Sequence, residues 1–452
     1  MTSAFLYLGI MLIVICVWFI LLKRPVYESV FVSFILLVAI TNRWTSLLEY
    51  INEGMGTSLL YSMVVFVAMS ILLDKTKIID STVSIILCLM RKIPGGAGYV
   101  SVIASAFMGS LSGSGPGNVM TTGVITIPAM KKSGFPAELA ANIESNASYL
   151  GNMIPPSSNI VAALGAYLAL YPTENLTIGK FWLVCWGCSL WFVLLKMIMV
   201  FAFCKYYKVK PIAKKDLPDL KDTLKTSWQG LLLPIIILIP FIFDFIFKDT
   251  LFTQRLGASG AKYFSSSMLF FVAGIAAFYT VLVAKNKKDV SPNQIAKLFG
   301  NKIKSISPAI ATCLFGYMIG SLFKDLNVAE CLKMGIIALN MGKVGLAFII
   351  PLFTCFMGMV IPGSSLVVMF GSVFISLFAS VGITPLLVAA MLPCICGVMC
   401  GITPPLALGM YAGMSIAESD FDKTVKNGLW WVATQYILEV IVLLELLPIL
   451  GL

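Results

Sequence analysis

Two clusters of small oxygen-bearing residues interrupt an otherwise apolar chain. The first is Gly109-Ser110-Leu111-Ser112-Gly113-Ser114-Gly115-Pro116, with Asn118 just beyond it. The second is Pro362-Gly363-Ser364-Ser365. Each precedes a Pro-Pro pair in the next apolar segment: Gly151-Asn152-Met153-Ile154-Pro155-Pro156-Ser157, and Cys400-Gly401-Ile402-Thr403-Pro404-Pro405-Leu406. Pro136 to Pro155 is 19 residues, as is Pro385 to Pro404, and Ala140-Ala141 falls in register with Ala389-Ala390.

Glycine lets backbone bend and approach an ion closely. Proline removes an amide donor and frees the carbonyl four residues back. Carbonyls with Ser and Thr hydroxyls make an oxygen cage, which suits a hard cation such as Na⁺. Helix N-termini beside them favour an anionic group, and the stretches from Ser114 and from Ser364 are placed to offer that to a carboxylate. On this reading Ser110, Ser112, Ser114 and Asn118 face Gly151, Asn152 and residues 154–158, while Gly363, Ser364 and Ser365 face residues 400–406. The polar groups for a substrate are Ser114, Asn118, Asn152, Ser157, Ser364 and Ser365. A single Gly/Ser cluster would be read as helix packing; two, each followed by Pro-Pro at matched spacing, favour a binding site. Residues 109–117 lack the Gly-Lys-Ser/Thr ending of a phosphate loop.

The clusters sit near the middle of apolar segments 97–130 and 344–380, whose halves are short for a membrane span. Each segment is expected to form a re-entrant helical hairpin. The Pro-Pro pairs break the following segments, 136–170 and 385–418. Broken helices at membrane depth are tolerated only where backbone is buried or lines a cavity. A matched pair in two halves of a chain points to the binding site of a secondary transporter.

Composition agrees. The 452 residues are 59% hydrophobic and 12% charged, with mean hydropathy +0.95, against about 25% charged for soluble proteins. The chain is expected to be an all-α polytopic protein of the lipid bilayer. Residues 4–22, closed by Lys23-Arg24, read as a first helix rather than a signal peptide. The net charge of +11 lies in short loops, as the positive-inside rule requires, and not in a nucleic-acid-binding face. The absence of histidine excludes a histidine relay. The cysteines lie in apolar segments and read as packing residues.

Placing the basic loops inside gives five spans plus one hairpin, twice, in opposite orientation: an inverted-topology repeat. The units are 1–204 and 229–452, joined by a basic cytoplasmic linker at 205–228. Weaker segments before each hairpin, Lys77 to Lys92 and Lys324 to Lys343, are expected to lie flat at the interface. Membrane charges usually mark function. Glu144 is expected near the inner surface, as an interfacial or inter-helix contact or a functional group; Asp244, Glu439 and Glu445 are expected near span ends. With no carboxylate at a hairpin tip or break, Na⁺ held by neutral oxygens is favoured over protons carried on a carboxylate.

At these motifs the chain resembles the large membrane subunit of tripartite ATP-independent periplasmic (TRAP) transporters. The resemblance is carried by Met108 through Gly115, residues 127–135, 151–157, 401–405 and 412–417, and covers nearly the whole chain in layout. It implies an elevator-type importer driven by Na⁺ in the bacterial inner membrane, with no organic cofactor. It also implies a small four-helix membrane subunit, a periplasmic binding protein and a small organic anion as substrate, such as a dicarboxylate or a sugar acid. Sodium ligands carried over from the family fall on Ser112, Ser114, Gly151, Ile154 and Pro156, and on Gly363, Thr403 and Leu406, with Cys400 where the family has glycine. The alternatives are a stand-alone carrier of the same superfamily (dicarboxylate exchanger or cation/proton antiporter) and a channel or membrane scaffold. No acid cluster or metal-ligand spacing suggests an enzyme.

Overall fold

The computed structural model describes residues 2–452 apart from 57, 172–173, 175, 213–219, 285, 329–330, 332–341, 360–361 and 405–406. The first half comprises α1 (Thr2–Cys16), α2 (Val26–Ile40), α3 (Leu47–Gly56), α4 (Ser58–Thr76) and α5 (Ile78–Met90). Then come α6 (Gly96–Val100), α7 (Ala106–Ser112), α8 (Gly115–Ser133), α9 (Ala137–Leu150), α10 (Ser158–Leu170) and α11 (Ile178–Tyr206). The linker carries α12 (Leu220–Ser227), and the second half comprises α13 (Leu232–Phe247), α14 (Thr253–Val283) and α15 (Pro292–Asp325). It continues with α16 (Lys343–Gly358), α17 (Gly363–Ser380), α18 (Pro385–Pro393), α19 (Leu408–Ala417) and α20 (Phe421–Leu443).

Helices 137–170 (taken across its break), Ile178–Tyr206 and Gly363–Ser380 are long and apolar enough to cross a membrane. The outward faces of α13 and α14 expose Ile235, Ile239, Ile242, Ile246, Phe271 and Phe278, an apolar surface suited to lipid rather than water. Several helices outrun the apolar segments. The segment expected from 307 starts at Pro292, and the one expected from 429 starts at Phe421. Hydropathy marks only the lipid-exposed part of a helix; capping sets its end, as where Asp420 accepts from the Lys423 amide at 3.0 Å. The linker carries the short helix α12, and α3 adds an amphipathic turn between the second and third apolar segments. Of the two weak segments, the first forms α5; most of the second lies outside the described residues.

Two groups of helices emerge from the packing. In one, α15 packs on α2 and α3, and α14 on α4. Tyr50 of α3 donates to Asp325 at the end of α15 at 2.6 Å. Burial, then Asp325, pushes its phenol up to about 12, so it remains a protonated donor. In the other group, α9 packs between α8, α19 and α20, and α18 lies against α10, α11 and α17.

Each hairpin is tied at its base by chain that follows the last long helix of its half. After α11, the Lys210 amide donates to Ser133 O at 2.8 Å and the Ile212 amide to Arg91 O at 3.2 Å. After α20, Glu445 pairs with Lys343 at 2.5 Å and accepts from the Thr384 hydroxyl at 2.6 Å and amide at 2.9 Å.

Candidate functional site

The first hairpin rises through α6, a π-helical turn (Ser101–Ser105) and α7, reverses at Gly113 and descends as α8. Gly113 is in the left-handed region (φ +64), which glycine adopts without steric cost. Ser114, exposed at the tip, caps α8 by accepting from the Gly117 amide at 3.3 Å. Ser112 is the last residue of α7.

The broken helix runs as α9, a 3₁₀ turn at Gly151–Met153, an extended residue at Ile154, Pro155-Pro156, and α10. Ser157 caps α10, accepting from the Asn159 amide at 3.2 Å. Gly151 O accepts from Ile154 N, and Ile154 O from Ser157 N. Each carbonyl keeps a second lone pair. Asn152 is 6% exposed and its Oδ1 has no hydrogen-bond partner among the described residues.

Hairpin and break touch backbone to backbone. A Cβ on Gly109 would stand 2.5 Å from Ser148 O and 3.3 Å from Gly151 Cα. One on Gly151 would stand 2.5 Å from Gly109 C and 2.6 Å from Ala106 O. Only a pair of glycines permits this crossing. Asn118 sits beside it, fully buried, donating to Ser105 O at 2.7 Å and Ser148 Oγ at 2.9 Å. Its amide is thus engaged between the hairpin and α9, while its Oδ1 has no partner among the described residues.

The second half repeats the crossing. A Cβ on Gly358, the last residue of α16, would stand 1.9 Å from Cys400 Sγ, and one on Gly363 2.3 Å from Gly397 Cα. Here α18 gives way to a π-helical turn at Cys394–Val398 before the chain unwinds. Cys400 donates its thiol to Cys396 O at 2.6 Å, so the side chain folds back along its own helix. Gly358 on the facing arm leaves the space it needs. Thr403, 5% exposed, donates to Met399 O at 3.0 Å. Gly363 opens α17, with Ser364 exposed and Ser365 buried. Leu406 lies outside the described residues.

Four features were hidden in the sequence. Tyr149 wedges between the two breaks: a Cβ on Gly115, Gly401 or Gly409 would stand within 2.6 Å of its ring. The halves also meet where Ser145 donates to Gly409 O at 2.8 Å and Asn142 to Thr424 O at 2.9 Å. Glu144, expected near the inner surface, is fully buried among hydroxyls. Glu439 is fully buried as well, accepting from Cys394 at 3.2 Å and Gln435 at 3.3 Å. Lys196 of α11, a fully buried lysine, donates to Asn146 at 3.0 Å. Glycines on partner elements were visible as motifs, but nothing in their spacing named the aromatic ring they accommodate.

The family model described as "Tripartite ATP-independent periplasmic transporter, DctM component" matches residues 7–449. A C4-dicarboxylate TRAP transporter large permease protein of Vibrio cholerae is 26% identical over 359 residues, covering 77% of this chain and 75% of that protein. A sialic acid TRAP transporter large permease of the same organism is 21% identical over 380 residues, covering 83% and 82%. Among solved structures, Neisseria gonorrhoeae MtrF, described within a class of antimetabolite efflux pumps, superposes with a TM-score of 0.63 at 12% identity, over 90% of this chain and 84% of that one. The last likeness concerns the fold alone.

Proposed function

Because the chain belongs to the DctM component family of tripartite ATP-independent periplasmic transporters, we propose that it is the large permease of a sodium-coupled importer of a small organic anion. The observation that carries this reading is the duplicated crossing: Gly109 on Gly151, and Gly358 on Cys400. In both halves a hairpin meets the next helix where that helix is broken, and the pairs are equally spaced in the chain. This arrangement supports reading the halves as inverted repeats with one cation site each.

The donor set fits Na⁺. It is made of oxygens: carbonyls at Gly151 and Ile154, residues Ser112, Ser114 and Pro156 of the first site, and Gly363, Cys400, Thr403 and Leu406 of the second. Asn152 Oδ1, buried without a donor, is an acceptor that a cation or a substrate hydroxyl would satisfy. The N-termini of α8 and α17 supply amides and positive dipole ends for a substrate carboxylate, with Ser114, Asn118, Asn152, Ser157, Ser364 and Ser365 as its polar surroundings. Hairpins and broken helices would move as one body past the α2–α3–α15 and α4–α14 group, in an elevator motion. A small four-helix membrane subunit and a periplasmic binding protein would complete the system in the bacterial inner membrane. Relatives named for C4-dicarboxylates and for sialic acid support a carboxylate as the substrate. The test is uptake of labelled organic acids into proteoliposomes under an imposed Na⁺ gradient. Uptake that ignores Na⁺ overturns the reading.

A further inference from the structure

Glu144 brings a carboxylate into the interior of the first hairpin assembly. Its Oε1 accepts from Thr122 at 2.5 Å and Ser148 at 3.1 Å. Its Oε2 accepts from Ser101 at 2.7 Å, Ser105 at 3.1 Å and Thr126 at 2.5 Å. The carboxylate and all five hydroxyl-bearing residues are 0% exposed. They come from both arms of the hairpin and from α9 itself. Gly123 lets α8 close onto the carboxylate, since a Cβ there would stand 3.2 Å from Glu144 Cγ. Thr122 and Thr126 also have carbonyls four residues back within reach, but an ionised carboxylate is the stronger acceptor. A cage of five donors suits the acceptor-only, ionised form.

Hydrogen bonds do not cancel the charge. Among the described residues no lysine or arginine forms an ion pair with Glu144. Lys131, on α8, donates to Ala417 O at 2.6 Å. Lys196, which reaches α9 from α11, donates to Asn146 at 3.0 Å and lies over the Trp431 ring at 5.2 Å. A buried carboxylate without a cation is costly in a membrane. The break at Gly151 begins seven residues further along the same helix, about 10 Å at 1.5 Å per residue.

We propose that Glu144 is the fixed counter-charge for the cation held at the first break, acting through space as a positioning residue without ligating it. This rests on the sodium-coupled reading above. The Glu144–Ser148–Asn118 hydrogen bonds run to the Gly109–Gly151 crossing and hold the charge at a set distance from it. At an effective dielectric of about 20, a unit charge about 10 Å away changes cation affinity on the order of tenfold.

The experiment measures Na⁺-dependent thermal stabilisation of the purified full-length protein, with choline replacing Na⁺ at constant ionic strength, for wild type, Glu144→Gln and Glu144→Asp. The neutral variant should need about tenfold more Na⁺ for half-saturation, equivalent to about 1.4 kcal/mol. The aspartate variant, which keeps the charge and shortens the reach, should stay within about threefold of wild type. In proteoliposomes at saturating Na⁺, the substrate KM of Glu144→Gln should be unchanged. Equal shifts in Gln and Asp variants would make Glu144 a structural staple and overturn the proposal, as would no shift in the Gln variant. Wild type without any Na⁺ response would instead remove the sodium-coupled reading, and this proposal with it. If Glu144→Gln does not accumulate, because its amide sets donors against donors, Glu144→Met tests the same point. Its hydroxyl neighbours then have Thr122 Oγ1, Asn118 O and Thr122 O as alternative acceptors. Wild-type Na⁺ affinity in that variant overturns the proposal equally.

Discussion

Cys400 and Gly358 show how one side chain on one arm sets the residue allowed on the other. The Cys400 thiol fills the space that a Cβ on Gly358 would need, at 1.9 Å, and its bond to Cys396 O keeps it there. Gly358→Ala should therefore cost about 1–3 kcal/mol of stability, the usual penalty of overpacking, and should depress transport. Combining it with Cys400→Gly, which removes the thiol from that space, should recover at least half of the loss. Gly345→Ala on the same helix meets nothing within 4 Å and serves as the neutral control. Thermal melts of Gly358→Ala, Cys400→Gly, the double variant and Gly345→Ala form the test. Equal damage from Gly358→Ala in both backgrounds would mean that the two residues do not share this space. The sequence made Cys400 conspicuous as a departure from the resembled family. It did not reveal Gly358, which lies ahead of the motif at 361–365 and is recognisable only once α16 and the second break are seen to cross.

At the scale of elements, hairpins and broken helices were legible because glycine and proline act locally. Pro155 and Pro156 remove two amide donors in succession, and Gly113 takes the left-handed conformation that the reversal needs. What touches the break was not legible, because that contact comes from another element. Tyr149, on the last turn of α9, packs its ring against Gly401 and Gly409 of the opposite half. Gly401→Ala would put a Cβ 1.9 Å from the ring, so the ring must leave its place. The variant should lose transport while remaining folded, and Tyr149→Leu in the same chain should return part of it. Uptake by the single and double variants decides the matter. Unimpaired transport by Gly401→Ala would show that the ring's position between the breaks is immaterial. Helix ends were misjudged for a related reason: hydropathy reports lipid exposure, whereas α15 and α20 continue into polar sequence under capping and local hydrogen bonding.

Across the whole molecule, α9, α11, α18 and α20 form a polar seam between the two halves. Lys196, fully buried, donates to Asn146 Oδ1 at 3.0 Å and lies over the Trp431 ring at 5.2 Å. Lys196→Met should destabilise the protein by about 1–3 kcal/mol, because the buried Asn146 Oδ1 then loses its donor. Asn146→Leu added to it should recover part of that loss, and thermal melts of the two variants give the answer. A double variant no more stable than the single would mean that the bond to Asn146 is not what the lysine supplies. The seam was illegible in the sequence, since Lys196 reads there as one lysine inside a long apolar helix and its partners lie on α9 and α20. The matched hairpins and breaks, by contrast, were visible as a repeated spacing, and the crossings of Gly109 with Gly151 and Gly358 with Cys400 now give that spacing a shape. The claim built on them is that a sodium gradient drives import of an organic anion delivered by a binding protein. The most direct measurement is uptake into proteoliposomes holding this chain and a candidate small membrane subunit, with an inward Na⁺ gradient, with and without a candidate binding protein. Accumulation that requires both sodium and the binding protein is the predicted result; accumulation that persists when the sodium gradient is abolished would contradict it.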